Sequence, residues 1–269
     1  MDSAGPQSGS EFDEGIITVR KGRTGAKLIR RTVNKMEYHF KIKRFNPDKD
    51  EKPHWEEYTV EANPNDRVLD GLDYIKWYHD GTLTLRRSCA HGVCGSDAMV
   101  VNGRTRLACK LLMQVAAQQS DPITVEALRG FPIVKDLVVN MDFFLKKFHA
   151  VKPYLINDEP VVGERLQSQQ ERARFDDTTK CILCGACTAS CPTFWADKNY
   201  ISPAMIVQAH RFIFDCRDDA TQERLEMMQA EGGVFTCRSI YNCAEACPRD
   251  IDIVKAINEV RQAVLFGRR

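Results

Sequence analysis

A run of four cysteines occurs twice in this chain, and the second copy lacks one of them. The first reads Cys181-Ile-Leu-Cys184-Gly-Ala-Cys187-Thr-Ala-Ser-Cys191-Pro192, the second Cys237-Arg-Ser-Ile240-Tyr-Asn-Cys243-Ala-Glu-Ala-Cys247-Pro248. Superposed, they agree at every cysteine and at the proline, except that Ile240 stands where Cys184 does. This spacing holds cubane iron–sulfur clusters: three cysteines of one run serve one cluster, and the fourth reaches across to the other. It assigns Cys181, Cys184, Cys187 and Cys247 to a [4Fe–4S] cluster. The remaining set, Cys237, Cys243 and Cys191, offers only three thiolates. Isoleucine cannot ligate iron, so the second centre is expected to be [3Fe–4S]. A segment that must bring two distant runs together in this way is constrained to a compact, crossed arrangement.

Upstream, Ser88-Cys89-Ala-His-Gly-Val-Cys94-Gly-Ser-Asp97, with Cys109 following Arg106-Leu-Ala, fits the C-x4-C-x2-C…C spacing of a [2Fe–2S] site. Asp97 occupies the third cysteine position. A carboxylate is a harder donor than thiolate but is anionic and of suitable reach, so Cys89, Cys94, Asp97 and Cys109 form the expected ligand set. One alternative makes Asp97 only a turn residue after Gly95-Ser96. A Rieske centre needs two histidines on one iron; His91 has no second Cys/His box to join, and reads as a loop residue shielding the cluster.

Of the eleven cysteines, ten fall within these motifs. Cys216 belongs to none and is expected to be a buried free thiol. A disulfide framework suits small secreted chains, and residues 1–15 contain no apolar signal region, so a reducing compartment is expected. Structural zinc is the competing use of paired CxxC spacings, but a closed tetrahedral site has no use for a fourth cysteine that serves a different centre.

Net charge is +1 with 28% charged residues, which gives no sign of a nucleic-acid partner. No apolar run approaches the roughly 18 residues of a membrane-spanning helix. Residues 1–36 read as a leader and arm, with a basic stretch from Arg20 to Lys35. Residues 37–140 read as a mixed unit: a strand at Tyr38–Lys43, its partner at Glu57–Val60 across a turn at 47–53, and a helix capped by Asp66 that carries Val68, Leu72 and Ile75. Short strands follow near Ala98–Val101, Ile123–Glu126 and Lys135–Val139. Residues 141–269 read as helical: a linking helix with Phe143, Phe144, Phe148 and Val151, a second opened by Ser202-Pro203, and a last one carrying Ile253, Ile257, Val260 and Val264. The expected fold class is α+β: an N-terminal β-grasp, plant-type [2Fe–2S] ferredoxin domain, then a C-terminal all-α, bacterial-ferredoxin-like domain with the [4Fe–4S] and [3Fe–4S] clusters.

Three cluster motifs in this order, with Ile240 in place of a cysteine, resemble the iron–sulfur subunit of succinate dehydrogenase, and that of fumarate reductase is closely similar. The resemblance covers about residues 37–265. It implies a partner flavoprotein that oxidises succinate on a covalent FAD, and electrons passing through [2Fe–2S], [4Fe–4S] and [3Fe–4S] to a quinone at the interface with membrane-anchor subunits. This chain has no GxGxxG fingerprint for FAD, so the carbon chemistry is expected elsewhere. The implied location is the cytoplasmic face of the cell membrane, bound peripherally through the anchors. Family members often read Phe-Trp-Trp after the first Cys-Pro, the second Trp contacting the quinone; here the run is Thr193-Phe194-Trp195-Ala196. Where they often carry His after the first cysteine of the second run, this chain has Arg238. Pro192, Trp195, Arg238 and Ile240 are therefore expected to line the quinone approach. Structural alternatives are an interface role for Arg238 and packing near the bilayer for Trp195. Two other functions compete: a quinol:fumarate reductase subunit running in reverse, and a soluble ferredoxin-like carrier.

Overall fold

Alternation of apolar and polar residues sets the first strand. In β1 (Met36–Arg44) Tyr38, Phe40 and Ile42 turn inward, and Arg44 continues the same face. The computed structural model describes residues 35–161 and 163–267; the expected leader, with its basic stretch, lies outside them except for Lys35 and Met36. β1 pairs antiparallel with β2 (His54–Ala62) along its whole length, from Met36 opposite Ala62 to Arg44 opposite His54. The chain then forms α1 (Val68–Tyr74), which continues into a π-helical turn at Ile75–His79. β3 (Ala98–Val101) and β4 (Arg104–Leu107) make a tight hairpin, and α2 (Met113–Gln119) leads into β5 (Ile123–Glu126). The sheet order is β2-β1-β5-β3-β4, with β1 and β5 parallel and the other pairs antiparallel. That is the mixed sheet expected of a β-grasp.

Two differences from the sequence reading are local. Asp66 does not cap α1; its carboxylate accepts from Asn63 N at 2.9 Å, closing the preceding turn, while Asp70 accepts from Arg67 N at the helix start. The strand expected over Lys135–Val139 is a two-stranded ribbon of β6 (Ile133–Lys135) and β7 (Val138–Val139). α1 lies close against the sheet because Gly71 carries no side chain: a Cβ there would sit 2.7 Å from Phe40 Cζ and 2.9 Å from Met113 Sδ. Arg44 is buried but fully engaged. Its guanidinium donates to Asp136 (3.0 Å), Glu56 (2.6 Å), Asp80 (2.5 Å) and Thr82 (3.0 Å), which satisfies a charge that burial alone would disfavour.

From Asp142 the chain is helical: α3 (Asp142–Ala150), α4 (Gln169–Ala173), α5 (Ala186–Ala189), α6 (Pro192–Ala196), α7 (Pro203–Ile213), α8 (Thr221–Gln229), α9 (Asn242–Glu245) and α10 (Ile253–Phe266). α7 is buried almost all round and packs against α10, whose Ile253, Ala256, Ile257, Val260 and Ala263 face inward. Val264 is half-buried, and Ala263 takes the inward position beside Val260. A second buried guanidinium ties α8 to the loop after α3. Arg224 Nη1 meets Asp218 at 2.5 Å, and its other nitrogens donate to the carbonyls of Val151, Lys152 and Tyr154. Sheet and helices share one continuous core. Phe131, from the segment before β6, meets Phe143 (5.0 Å between centroids), Phe144 (5.9 Å) and Phe194 (6.1 Å) of the helical part.

Candidate metal centres

The loop from Cys89 to Cys94 winds through left-handed conformations at Ala90 and Gly92, with Gly95 continuing them. That path turns backbone N–H groups inward. His91, Val93 and Cys94 N–H point at Cys89 Sγ from 3.5, 3.4 and 3.3 Å. Cys94 Sγ has Ser96 N at 3.5 Å and Ser96 Oγ at 3.2 Å. The donors stabilise the anion, and the Cys89 thiol is drawn down to about 6. His91 is exposed and its Nδ1 donates to Cys89 O at 2.5 Å, so it braces its own loop.

Asp97 sits just before β3 and is 2% exposed. Its Oδ2 accepts from Cys109 N at 2.6 Å, and its Oδ1 has no hydrogen-bond partner. Cys109, buried beyond β4, has its thiol pushed up to about 12 by burial and by the Asp97 carboxyl. A buried carboxylate oxygen without a donor is costly unless another electrophile takes it. Three sulfurs and one orphaned anionic oxygen around one loop are a donor set that fits a two-iron cluster.

In the helical part, Cys181, Cys184, Cys187 and Cys247 line one pocket, walled by Leu183, Ala204, Val207 and Ile251. Burial raises the Cys181 and Cys187 thiols and pushes Cys184 up to about 12; neighbouring cysteines add to the rise. A separate pocket is lined by Cys191, Cys237 and Cys243, with Ile240, Pro192 and Arg238 on its wall. There the Cys243 thiol is pushed up to about 12 by burial, then by Cys191 and Cys237. The two runs thus meet crosswise, as four cysteines and three. Donor chemistry and grouping fit a four-iron and a three-iron cluster.

The three groups adjoin in series. Gly95 of the first loop, at φ +71°, packs on the four-cysteine pocket so tightly that a Cβ would lie 2.6 Å from Cys184 Cβ. Cys187 in turn is close enough to Cys243 for the two thiols to act on each other electrostatically.

The four residues read as a quinone approach do not all converge. Pro192, Arg238 and Ile240 share the wall of the three-cysteine pocket, and Ile240 is 47% exposed. Trp195 lies apart: its Nε1 donates to Ala189 O at 2.8 Å, which turns the indole into a cleft of about 460 Å³ lined also by Arg104, Arg106, Lys110, Asn242 and Glu245. Cys216 is exposed rather than buried, with Gln167 Nε2 3.5 Å from its sulfur; it sits in the polar turn after α7, where no apolar wall forms. Arg261 and Tyr200 escaped the sequence reading. Arg261 Nη2 donates to Cys237 O at 2.6 Å from α10, and nothing in its spacing marks it.

Comparison with known proteins fits this geometry. A family model described as a 2Fe-2S iron-sulfur cluster binding domain matches residues 39–146, and one described as a 4Fe-4S dicluster domain matches residues 173–248. The succinate dehydrogenase iron-sulfur subunit of Coxiella burnetii is 42% identical over 230 residues, covering 84% of this chain and 96% of that protein. The chain belongs to the succinate dehydrogenase iron–sulfur subunit family. The mitochondrial succinate dehydrogenase [ubiquinone] iron-sulfur subunit of Candida glabrata is 40% identical over 232 residues, covering 84% of this chain and 91% of that one. A chain of the Mycobacterium smegmatis Sdh1 complex in the apo form superposes with a TM-score of 0.78 at 26% identity, covering 86% of this chain and 96% of its own length. As a member of that family the chain is an α+β iron–sulfur electron-transfer subunit, a two-iron domain followed by a dicluster domain. Among the described residues, no helix is long and apolar enough to cross a membrane.

Proposed function

We propose that this chain is the fixed electron path of a succinate:quinone oxidoreductase, with Cys89, Cys94, Asp97 and Cys109 holding the [2Fe–2S] cluster. Cys181, Cys184, Cys187 and Cys247 hold the [4Fe–4S] cluster, and Cys191, Cys237 and Cys243 the [3Fe–4S] cluster. The bound clusters supply one-electron relay between the FAD of a flavoprotein partner and a membrane quinone. The chain's own residues do the rest. Backbone N–H groups of the first loop stabilise the Cys89 thiolate, Asp97 completes that set with oxygen, and the helical walls exclude water from the other two. Gly95 allows the first loop to touch the second set, which keeps successive stations short of a gap. Pro192, Arg238 and Ile240 border the last station and form the side open to quinone and anchor subunits, on the cytoplasmic face of the cell membrane; Trp195 belongs to the neighbouring cleft.

The observation that carries this reading is the crossed grouping of seven cysteines into a four and a three, with Ile240 beside the three. It is tested by electron paramagnetic resonance on the assembled complex, oxidised in air and then reduced with succinate. The expected result is a three-iron signal that succinate abolishes while a two-iron signal appears. Only four-iron and two-iron signals would refute the assignment of Cys191, Cys237 and Cys243.

A further inference from the structure

Tyr200 is among the largest fully buried side chains, at 0% exposed, and its hydroxyl has no hydrogen-bond partner. Its position is not loose. Ile201 N donates to Gly232 O at 2.7 Å, and Lys147 Nζ donates to Tyr200 O at 2.6 Å. Gly232 packs against Asn199 and Tyr200 so closely that a Cβ there would lie 2.6 Å from Asn199 O. The backbone is held on both sides, and the ring is fully buried. The groups that bear on its hydroxyl are Cys237 first, then Cys191 and Cys243. A phenol keeps its proton at neutral pH by its ordinary acidity, so the group arrives as a donor. A buried O–H with no acceptor is disfavoured, and the acceptors at hand are sulfurs.

We infer that the Tyr200 hydroxyl donates a hydrogen bond to sulfur at Cys237, and that this bond tunes the terminal three-iron cluster. The inference rests on the assignment of Cys191, Cys237 and Cys243 given above. Electron uptake adds negative charge to a cluster already anionic through its thiolates. A donor to sulfur favours the more negative, reduced state and raises the potential. Ser239 N–H, 3.4 Å from Cys237 Sγ, acts in the same sense from the backbone. The side-chain donor is the one that substitution can remove. Tyr200 is thus a positioning and tuning residue; it carries no electrons itself.

The test compares the assembled complex with its Tyr200→Phe variant, which keeps the ring and removes only the hydroxyl. In a redox titration followed by the three-iron resonance, the variant should show a lower midpoint potential, by up to the 59 mV that a tenfold change in a one-electron equilibrium represents. The two-iron and four-iron midpoints should not move, and the iron count should stay the same. Placing 3-fluorotyrosine at position 200 makes a stronger donor of the same shape, and should move the three-iron midpoint upward. Should the phenylalanine variant lose its cluster, the fluorinated protein decides the matter alone. An unmoved midpoint in the fluorinated protein, or in a Tyr200→Phe variant that retains its clusters, overturns the inference while leaving the ligand assignment standing. Absence of any three-iron resonance in the unsubstituted complex would instead overturn the ligand assignment itself.

Discussion

The sheet half and the helical half of this protein gather sulfur in opposite ways. In the sheet half, the ligand candidates all come from one stretch, residues 89–109, and the loop supplies N–H donors directly to Cys89 and Cys94. In the helical half, each set is drawn from two separate runs; backbone N–H groups reach these sulfurs too, but burial outweighs them at Cys181, Cys184, Cys191 and Cys243. The consequence is visible in their acidities. Cys89 is drawn down to about 6, whereas Cys184 and Cys243 are pushed up to about 12. Cys109 is the exception in the sheet half, raised by burial and by Asp97. Where burial raises a thiol, metal must displace its proton, so metal uptake by the helical half is expected to release more protons and to depend more steeply on pH.

The sharpest way to break this contrast is to remove the cysteine that reaches across. Cys247→Ala should abolish the four-iron signal and, because α9 and the second run lose their anchor, the three-iron signal with it. The two-iron signal should survive; its loss, read by the same resonance measurement, would show that the sheet half depends on the helical one. Next in size is Asp218→Ala, which strands the Arg224 guanidinium in the interior. Removing one partner of a buried ion pair costs about 3–5 kcal/mol, and chemical denaturation of the loaded subunit should show a loss of that order.

Ile240→Cys gives the three-cysteine pocket a fourth thiol without touching the sheet half. The terminal centre should shift toward four irons and to lower potential, with each 59 mV changing the one-electron equilibrium tenfold. An unchanged three-iron resonance would mean that the residue at 240 does not decide the cluster type. The smallest expected effect is on acidification. His210 is buried between α7 and α10, 2.7 Å from Glu259, with Thr178, Arg174 and Lys255 nearby. Burial lowers its pKa, so the native state binds fewer protons than the unfolded chain. Stability is full above the ordinary histidine value and falls as pH drops through it. In the sheet half, hydrogen bonds from Tyr58 to Glu56 and from Thr82 to Asp80, with Arg44 adding to both, lower these carboxyls against their burial, so that contribution is lost only in the carboxylate range. Hydrogen exchange measured between pH 7.5 and 5.5 should loosen α7 and α10 before β1 and β2.

What the sequence made legible follows the same division. Ligand spacing is a local property, so the cysteine sets and Asp97 could be proposed as ligands without knowing the fold, and strands at Ala98–Val101 and Ile123–Glu126 could be read from short apolar runs. β4 was missed because four residues, two of them arginines, read as charge rather than as a strand. α2 was missed because no side chain caps its start. Arg44, Tyr200 and Trp195 could not be placed for a different reason. Each owes its role to partners far along the chain: Arg44 to Asp136, Tyr200 to the second cysteine run, Trp195 to a cleft shared with the β3–β4 hairpin.

The crossing of the two runs also bears on the order in which the protein can be made. A nascent chain that has left the ribosome as far as Pro192 displays four cysteines in a row, yet it lacks the second run and so has no complete ligand set for either helical centre. Only after the second run emerges can either helical centre close, and the span between must meanwhile be kept from collapsing or oxidising. The two-iron site is complete once Cys109 has appeared. Maturation is thus expected to run from the sheet toward the last helix, with the delivery of iron to the helical half waiting for Cys247 to emerge.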